Sequence, residues 1–266
     1  MNDNEKAALS KVPAVTLGFW VIKILATTLG ETGGDTITMS WLGETTSEAT
    51  GYGYLIGTAL VAVPFVALVV AQIATKKFHP FLFWATIVAS TMLGTTLADF
   101  ADRSLGIGYA GGSTLLLACV LAVLAGWYRS EGTISVDTVN TPKVEAFYWA
   151  TITFSQTLGT ALGDWMADDA GVGFLGGALI FGAALAVVAA LYFWTGISRV
   201  ALFWAAFILT RPLGATVGDF LDKPFDHGGL NLSRPIASAV LAVAIIALVL
   251  LLPQRAGEHP SATAST

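Results

Sequence analysis

The chain has 266 residues, 55% of them hydrophobic and 12% charged, with a formal net charge of −5 and a mean hydropathy of +0.72. A soluble domain carries about 25% charged residues, so this composition excludes an ordinary soluble enzyme and points to an integral membrane protein. There is no basic patch, Gly-rich phosphate loop or dinucleotide fingerprint, which argues against nucleic acid as a partner, and the single Cys119 excludes an intrachain disulfide framework or a cysteine metal cluster.

A short polar segment, residues 1–12, precedes the first apolar run. That run lacks a small-residue cleavage site and further runs follow it, so it reads as a retained helix and not a cleaved signal. About 20 apolar residues cross a bilayer core. Runs of that length fall near 14–35, 52–75, 80–100, 109–128, 144–166, 173–196, 199–220 and 233–252. The expectation is an all-α integral membrane protein with eight transmembrane helices in one domain, 13–252, and a disordered polar tail, 253–266. Lys6, Lys11, Lys76, Lys77, Arg129, Lys143, Arg199 and Arg255 lie at the N terminus, the even-to-odd connections and the C terminus. The opposite loops hold Arg103, Lys223 and Arg234, with Glu44, Glu48, Asp102, Asp168, Asp169, Asp222 and Asp226. The Lys/Arg bias places both termini in the cytoplasm.

Four segments align without gaps from a Trp to an Asp fifteen residues later: Trp20 to Asp35, Trp84 to Asp99, Trp149 to Asp164 and Trp204 to Asp219. Each carries an aromatic before the Trp (Phe19, Phe83, Tyr148, Phe203) and a Gly at the eleventh place (Gly30, Gly94, Gly159, Gly214). Gly34, Ala98, Gly163 and Gly218 precede the four Asp residues. The helices that follow share Gly-rich starts, "GYGYLIG", "GIGYAGG" and "GVGFLGG", and the first unit has an insertion in its outer loop. The chain thus divides into four two-helix repeats, 13–78, 79–142, 143–198 and 199–252. Two spans per unit give every unit the same orientation, so parallel repeats about a pseudo-fourfold axis along the membrane normal are expected.

Counting back by fours from each Asp gives one face per helix. The faces are Asp35, Glu31, Thr27, Lys23; Asp99, Thr95, Thr91, Ile87; Asp164, Thr160, Gln156, Ile152; and Asp219, Ala215, Arg211, Phe207. Ionisable groups at membrane depth face a bundle interior or a water cavity, so four polar stripes are expected around one axis. Small residues on these helices would let the backbones approach closely. Asp35, Asp99, Asp164, Asp219 and Glu31 form an oxygen-only set suited to a hard divalent cation, Mn²⁺, Ca²⁺ or Mg²⁺. Thr27, Thr91, Thr95, Gln156 and Thr160 would line the path. Lys23 and Arg211 would gate it or act as counter-charges. Five acids against two bases leave a charge of about −3, and clustered carboxylates raise one another's proton affinity, which permits exchange of protons for metal.

Plainer readings stand beside these. Gly-Asp at a helix end is also a stop signal, although a carboxylate opposes the negative end of the helix dipole. The aromatic-Trp pairs read as interfacial belt anchors. Pro212 reads equally as a hinge and as a shaped packing site. Lys23 and Glu31 are two turns apart, so a pair between helices is favoured over a bond within one. His227 is a lone outer-loop histidine, Asp102 and Asp222 read as a solvated entrance, and Glu44 and Glu48 as part of a soluble loop.

The stretch "KVPAVTLGFWVIKILATTLGETGGD" and the recurring "LGTTLAD", "LGTALGD" and "LGATVGD" resemble an uncharacterised bacterial family of membrane-anchored proteins across residues 11–252. A weaker similarity is to the Glu-x-Gly-Asp calcium and manganese cation exchangers, in which the acidic motif implies a cation site. Here Glu31, Gly34 and Asp35 match with one extra residue. The resemblance implies a multi-pass protein of the bacterial inner membrane, with the lipid bilayer, a divalent cation and protons as partners and no prosthetic group. A homo-oligomer is compatible with it. The leading expectation is a divalent-cation transporter, with manganese export or cation/proton exchange favoured. The alternatives are a non-transporting sensor or scaffold subunit and a transporter of a small anionic or zwitterionic solute held by Lys23 and Arg211. No nucleophile with a paired base stands out, so an enzyme is not expected.

Overall fold

The computed structural model describes residues 9–47 and 49–258. Glu48, residues 1–8 of the N-terminal segment and residues 259–266 of the tail lie outside the described residues. Eight long helices account for most of the chain: α1 (Leu17–Asp35), α2 (Tyr52–Ala74), α3 (Pro80–Asp99), α4 (Tyr109–Glu131), α5 (Pro142–Asp164), α6 (Gly173–Trp194), α7 (Arg199–Asp222) and α8 (Arg234–Leu251). Several starts are written locally. Thr16, Thr141 and Ser198 accept the first free amides of α1, α5 and α7, and Pro80, Pro142 and Pro235 sit in first turns, where no N–H is needed.

The odd helices α1, α3, α5 and α7 form a closed cycle, each packed on the next and α7 on α1. The even helices lie outside this cycle. Each packs chiefly on the inner helix of the following unit: α2 on α3, α4 on α5, α6 on α7, and α8 back on α1. The two helices of a repeat are therefore neighbours in sequence, while the larger contact is made with the next repeat. The outer helices turn residues such as Val63, Leu115, Leu179 and Val243 outwards, each more than 60% exposed. An apolar skin around a polar interior is the arrangement a bilayer favours. Six helices, α2, α3 with the turn that follows it, α4, α6, α7 and α8, are long and apolar enough to cross a membrane. Together with the repeats they make this a multi-pass membrane protein. The more polar α1 and α5 are not among those six, and both belong to the inner cycle.

Glycine makes the cycle possible. A Cβ on Gly30 would lie 2.3 Å from Cβ of Thr91, one on Gly94 2.8 Å from the Gln156 carbonyl carbon, one on Gly159 2.5 Å from Cβ of Arg211, and one on Gly214 2.5 Å from Cβ of Thr27. The same glycine of each unit thus receives the same stripe position of the next unit, all the way round. Gly34, Gly163 and Gly218 do likewise for Thr95, Ala215 and Glu31.

The aromatic-Trp pairs are not belt anchors. Phe19 packs on Trp84 at 5.5 Å between ring centres, Phe83 on Trp149 at 6.0 Å, Tyr148 on Trp204 at 6.4 Å and Phe203 on Trp20 at 5.7 Å. All but the half-buried Trp20 are buried. They form a girdle that closes the cycle at its N-terminal end, because a ring offset by one residue from the Trp meets the neighbouring helix and not lipid. Two strands not foreseen in the sequence cover that end. β1 (Leu9–Pro13) pairs antiparallel with β2 (Ala256–Glu258), so part of the tail is ordered. The ribbon is tied down by Ser10 Oγ donating to Val136 O and by the Lys11–Glu145 ion pair.

Gly-Asp does not end the helices either. Asp35, Asp99 and Asp164 lead into π-helical turns, Thr36–Trp41, Phe100–Ser104 and Trp165–Asp169, and α7 runs on past Asp219. The widened turn opens the ends of α1, α3 and α5 by one residue, a device often found at functional sites. Glu44, expected on a soluble loop, is buried and accepts the amides of Gly51 and Gly53 at the start of α2, at 2.9 and 2.6 Å.

The glycine packing has a direct check. Gly94→Ala pushes a methyl into the Gln156 backbone and is expected to destabilise the folded protein by about 1–3 kcal/mol. Gly182→Ala on α6, where the new methyl meets nothing within 4 Å, is expected to be neutral or stabilising by up to about 1 kcal/mol. Unfolding of the two variants in detergent, followed side by side, separates them.

Candidate functional site

All sixteen positions of the four stripes are buried, none more than 4% exposed. They stack in four layers along the inner cycle. The layer next to the aromatic girdle holds Lys23 with Ile87, Ile152 and Phe207. The next holds Thr27, Thr91, Gln156 and Arg211, then Glu31, Thr95, Thr160 and Ala215, and last the four Asp residues.

Arg211 dominates the centre. Its Nη1 and Nη2 both donate to Glu31 Oε2 at 3.0 Å, and Nη2 also donates to Thr95 Oγ1 at 2.6 Å and to Thr160 Oγ1. One guanidinium on α7 thereby touches α1, α3 and α5. Glu31, at 2% exposed, finds its partner in Arg211 and not in Lys23. Lys23 Nζ has no hydrogen-bond partner among the described residues and lies 4.1 Å from the centre of the Phe207 ring, a cation–π contact.

The hydroxyls expected to line a path serve the helix contacts. Thr27 donates to Thr210 O at 3.0 Å, Thr91 to Ala26 O at 3.1 Å and Thr95 to Gly30 O at 3.0 Å, each crossing to a neighbouring inner helix. Gln156 is different: neither atom of its buried amide is hydrogen-bonded.

The Asp layer is unevenly compensated. Asp99 accepts from Arg103 Nε at 2.7 Å. Lys223 Nζ lies 2.6 Å from Asp35 Oδ2 and 2.9 Å from Asp219 Oδ1. Arg234 Nε is 3.8 Å from Asp35 and 3.5 Å from Asp222. Burial works against the charge on Lys223, but Asp219, Asp35 and Asp222 outweigh it and hold the amine well above the usual lysine range. Asp164 alone of the four has neither a hydrogen bond nor a salt bridge among the described residues.

Two groups of three carboxylates each bring one oxygen per residue within 4.8 Å of the others: Glu31, Asp164 and Asp219, and Asp35, Asp219 and Asp222. Asp99, paired with Arg103, belongs to neither. Asp222 is buried inside the cluster and is not part of a solvated entrance, whereas Asp102 is half-exposed. His227 is exposed and outside both groups. The expected charge of about −3 is also revised: with Asp222, Arg103, Lys223 and Arg234 included, six acids face five bases.

The sequence does carry a signal for these bases. One further step of four beyond each Asp reaches Met39, Arg103, Asp168 and Lys223, so two of the four stripes continue into a cation. A family model described as Repeat of Unknown Function (DUF347) matches residues 18–78, 82–133, 147–198 and 202–254, one segment for each helix pair. The chain belongs to that repeat family. Comparisons with curated proteins and with solved structures give no match. Seen through the four family repeats, Arg211 and Glu31 are departures of single units from a common plan, and they depart toward each other.

Arg211→Met leaves Glu31 buried without a counter-charge and is expected to destabilise the protein by about 3–5 kcal/mol. Adding Glu31→Gln removes the orphaned charge and is expected to restore much of that loss. A double-mutant cycle on unfolding in detergent reads the coupling. Additive losses would show that the two side chains do not act on one another.

Proposed function

We propose that the protein carries a divalent metal cation, manganese first among the candidates, across the bacterial inner membrane. In this reading all eight helices span the bilayer as four parallel repeats about a pseudo-fourfold axis, with both termini in the cytoplasm. The observation that carries the proposal is the group formed by Glu31, Asp164 and Asp219. Three inner helices each supply a buried oxygen ligand, the oxygens are within 4.8 Å of one another, and Asp164 has no hydrogen bond or salt bridge to give up among the described residues.

An oxygen-only site suits Mn²⁺, Ca²⁺ and Mg²⁺. The cation would supply positive charge where Asp164 and Asp219 converge. It would also weaken the hold of Glu31 on Arg211, because metal and guanidinium compete for the same carboxylate. Between ions, Arg211 neutralises Glu31 and fills the axis, which opposes a continuous leak. The aromatic girdle seals the far end in the conformation described here, so transport requires the girdle and the Asp layer to open in turn. Exchange with protons follows naturally from carboxylates that must be neutralised whenever the metal leaves.

A second reading rests on Lys23 and Gln156. Their buried polar atoms have no hydrogen-bond partner among the described residues, which fits a small anionic or zwitterionic solute in the deeper layers. One experiment distinguishes the two. In proteoliposomes, uptake is measured for Mn²⁺, Ca²⁺ and Mg²⁺ and for a panel of small carboxylates and amino acids. The cation reading expects uptake of at least one metal ion and a loss of about tenfold or more in Asp164→Asn, the scale of one deleted charged ligand contact. Metal flux unchanged in Asp164→Asn, or flux of solutes alone, would reject it.

A further inference from the structure

Asp35, Asp219 and Asp222 converge at the outer edge of the Asp layer. They come from α1 and α7, and none is more than 3% exposed. Among the described residues, neither oxygen of Asp222 accepts a hydrogen bond, and Asp35 Oδ1 accepts none. Arg234 reaches the group loosely, at 3.5 and 3.8 Å, and its Nε also lacks a hydrogen bond. The closely bound cation is the ammonium of Lys223, 2.6 Å from Asp35 and 2.9 Å from Asp219.

That ammonium behaves as a tethered ion. It occupies the position between two carboxylates that a free cation would take, yet it leaves the third, Asp222, unsatisfied. Lys223 is the first residue beyond α7, with extended backbone at φ −70° and ψ 151°. Its side chain can therefore withdraw toward the outer loop without unwinding the helix. A buried carboxylate with no donor costs free energy, so a more highly charged ion that also engages Asp222 has an advantage over the lysine. Asp219 belongs to this group and to the Glu31–Asp164 group. A carboxylate has two oxygens and can bridge two metal positions about 3.5–4 Å apart.

We propose that Asp35, Asp219 and Asp222 form a second, outer divalent-cation site, which Lys223 occupies as a tethered surrogate and which passes its ion to the inner group through Asp219. This rests on the cation reading above and adds to it an entry site with a built-in competitor. Lys223 sets the threshold: a cation enters only by displacing it.

The test is equilibrium dialysis of the purified full chain in detergent against Mn²⁺. The expected result is two bound ions per chain for wild type, the second held several-fold more weakly than in Lys223→Met, and one for Lys223→Met/Asp222→Asn. One ion bound to wild type and still one to Lys223→Met overturns the outer site and leaves the inner reading intact. Two ions retained in the double variant also overturn it. No binding to any of the three rejects both readings. A measurement on wild type covers the event that Lys223→Met fails to fold. Acetylation of Lys223 by a water-soluble amine reagent, followed by mass spectrometry, is expected to rise several-fold when Mn²⁺ is added. An unchanged or reduced rate would contradict displacement.

Discussion

The guanidinium of Arg211 holds the centre of this protein. It lies at a depth where no side chain of its layer is exposed, and it must satisfy its donors from neighbouring helices or not at all. Glu31 supplies the charge, and Thr95 and Thr160 supply oxygens. Each of the other inner helices thus contributes at least one acceptor to a single cation. A buried ion pair is a poor source of net stability, but breaking one is expensive. Its consequence here is positional: the four helices must keep the spacing and register at which these acceptors converge.

The rest of the fold makes that spacing attainable. Helices close enough to share one guanidinium cannot carry side chains where they touch, and the repeat glycines provide the clearance. The threonines at the same layers add hydrogen bonds across these contacts. At one end the aromatic girdle and the β1–β2 ribbon close the cycle, and at the other the aspartates remain partly uncompensated. The outer helices contribute an apolar surface and clamp each inner helix to the next unit. The repeats thus supply a common frame, and the chemistry arises where units depart from it: Lys23 and Glu31 in the first, Gln156 in the third, Arg211 in the fourth. A strictly repeated chain would have four equal aspartates. This one has an aspartate bound by arginine, two that share a lysine, and one, Asp164, with no hydrogen bond or salt bridge among the described residues.

Much of this was legible before any coordinates. The fifteen-residue spacing from Trp to Asp and the count of fours placed all sixteen stripe residues correctly inside the bundle, because helical periodicity and the cost of charge in lipid are local rules. Partner choice was not legible. Arg211 and Glu31 are 180 positions apart, and nothing in either helix says which acid the arginine meets. Lys223 and Arg103 read as loop charges when the count of fours stops at each Asp, whereas the π turn after α3 and the α-helical end of α7 carry the stripe one step further. The aromatic pairs were misplaced because position near a helix end suggests an interface, whereas a one-residue offset decides whether a ring faces lipid or its neighbour. The N- and C-terminal strands pair across almost the whole chain, a contact that composition cannot reveal.

In the proposed cycle a divalent ion and Arg211 compete for Glu31. An experimental structure of the protein with manganese, with the metal located by its anomalous scattering, tests this most directly. The expected result is a metal peak bounded by Glu31, Asp164 and Asp219, with the Arg211 guanidinium moved off Glu31. A structure at saturating manganese in which Arg211 still binds Glu31 and no metal peak lies among those three carboxylates would contradict it.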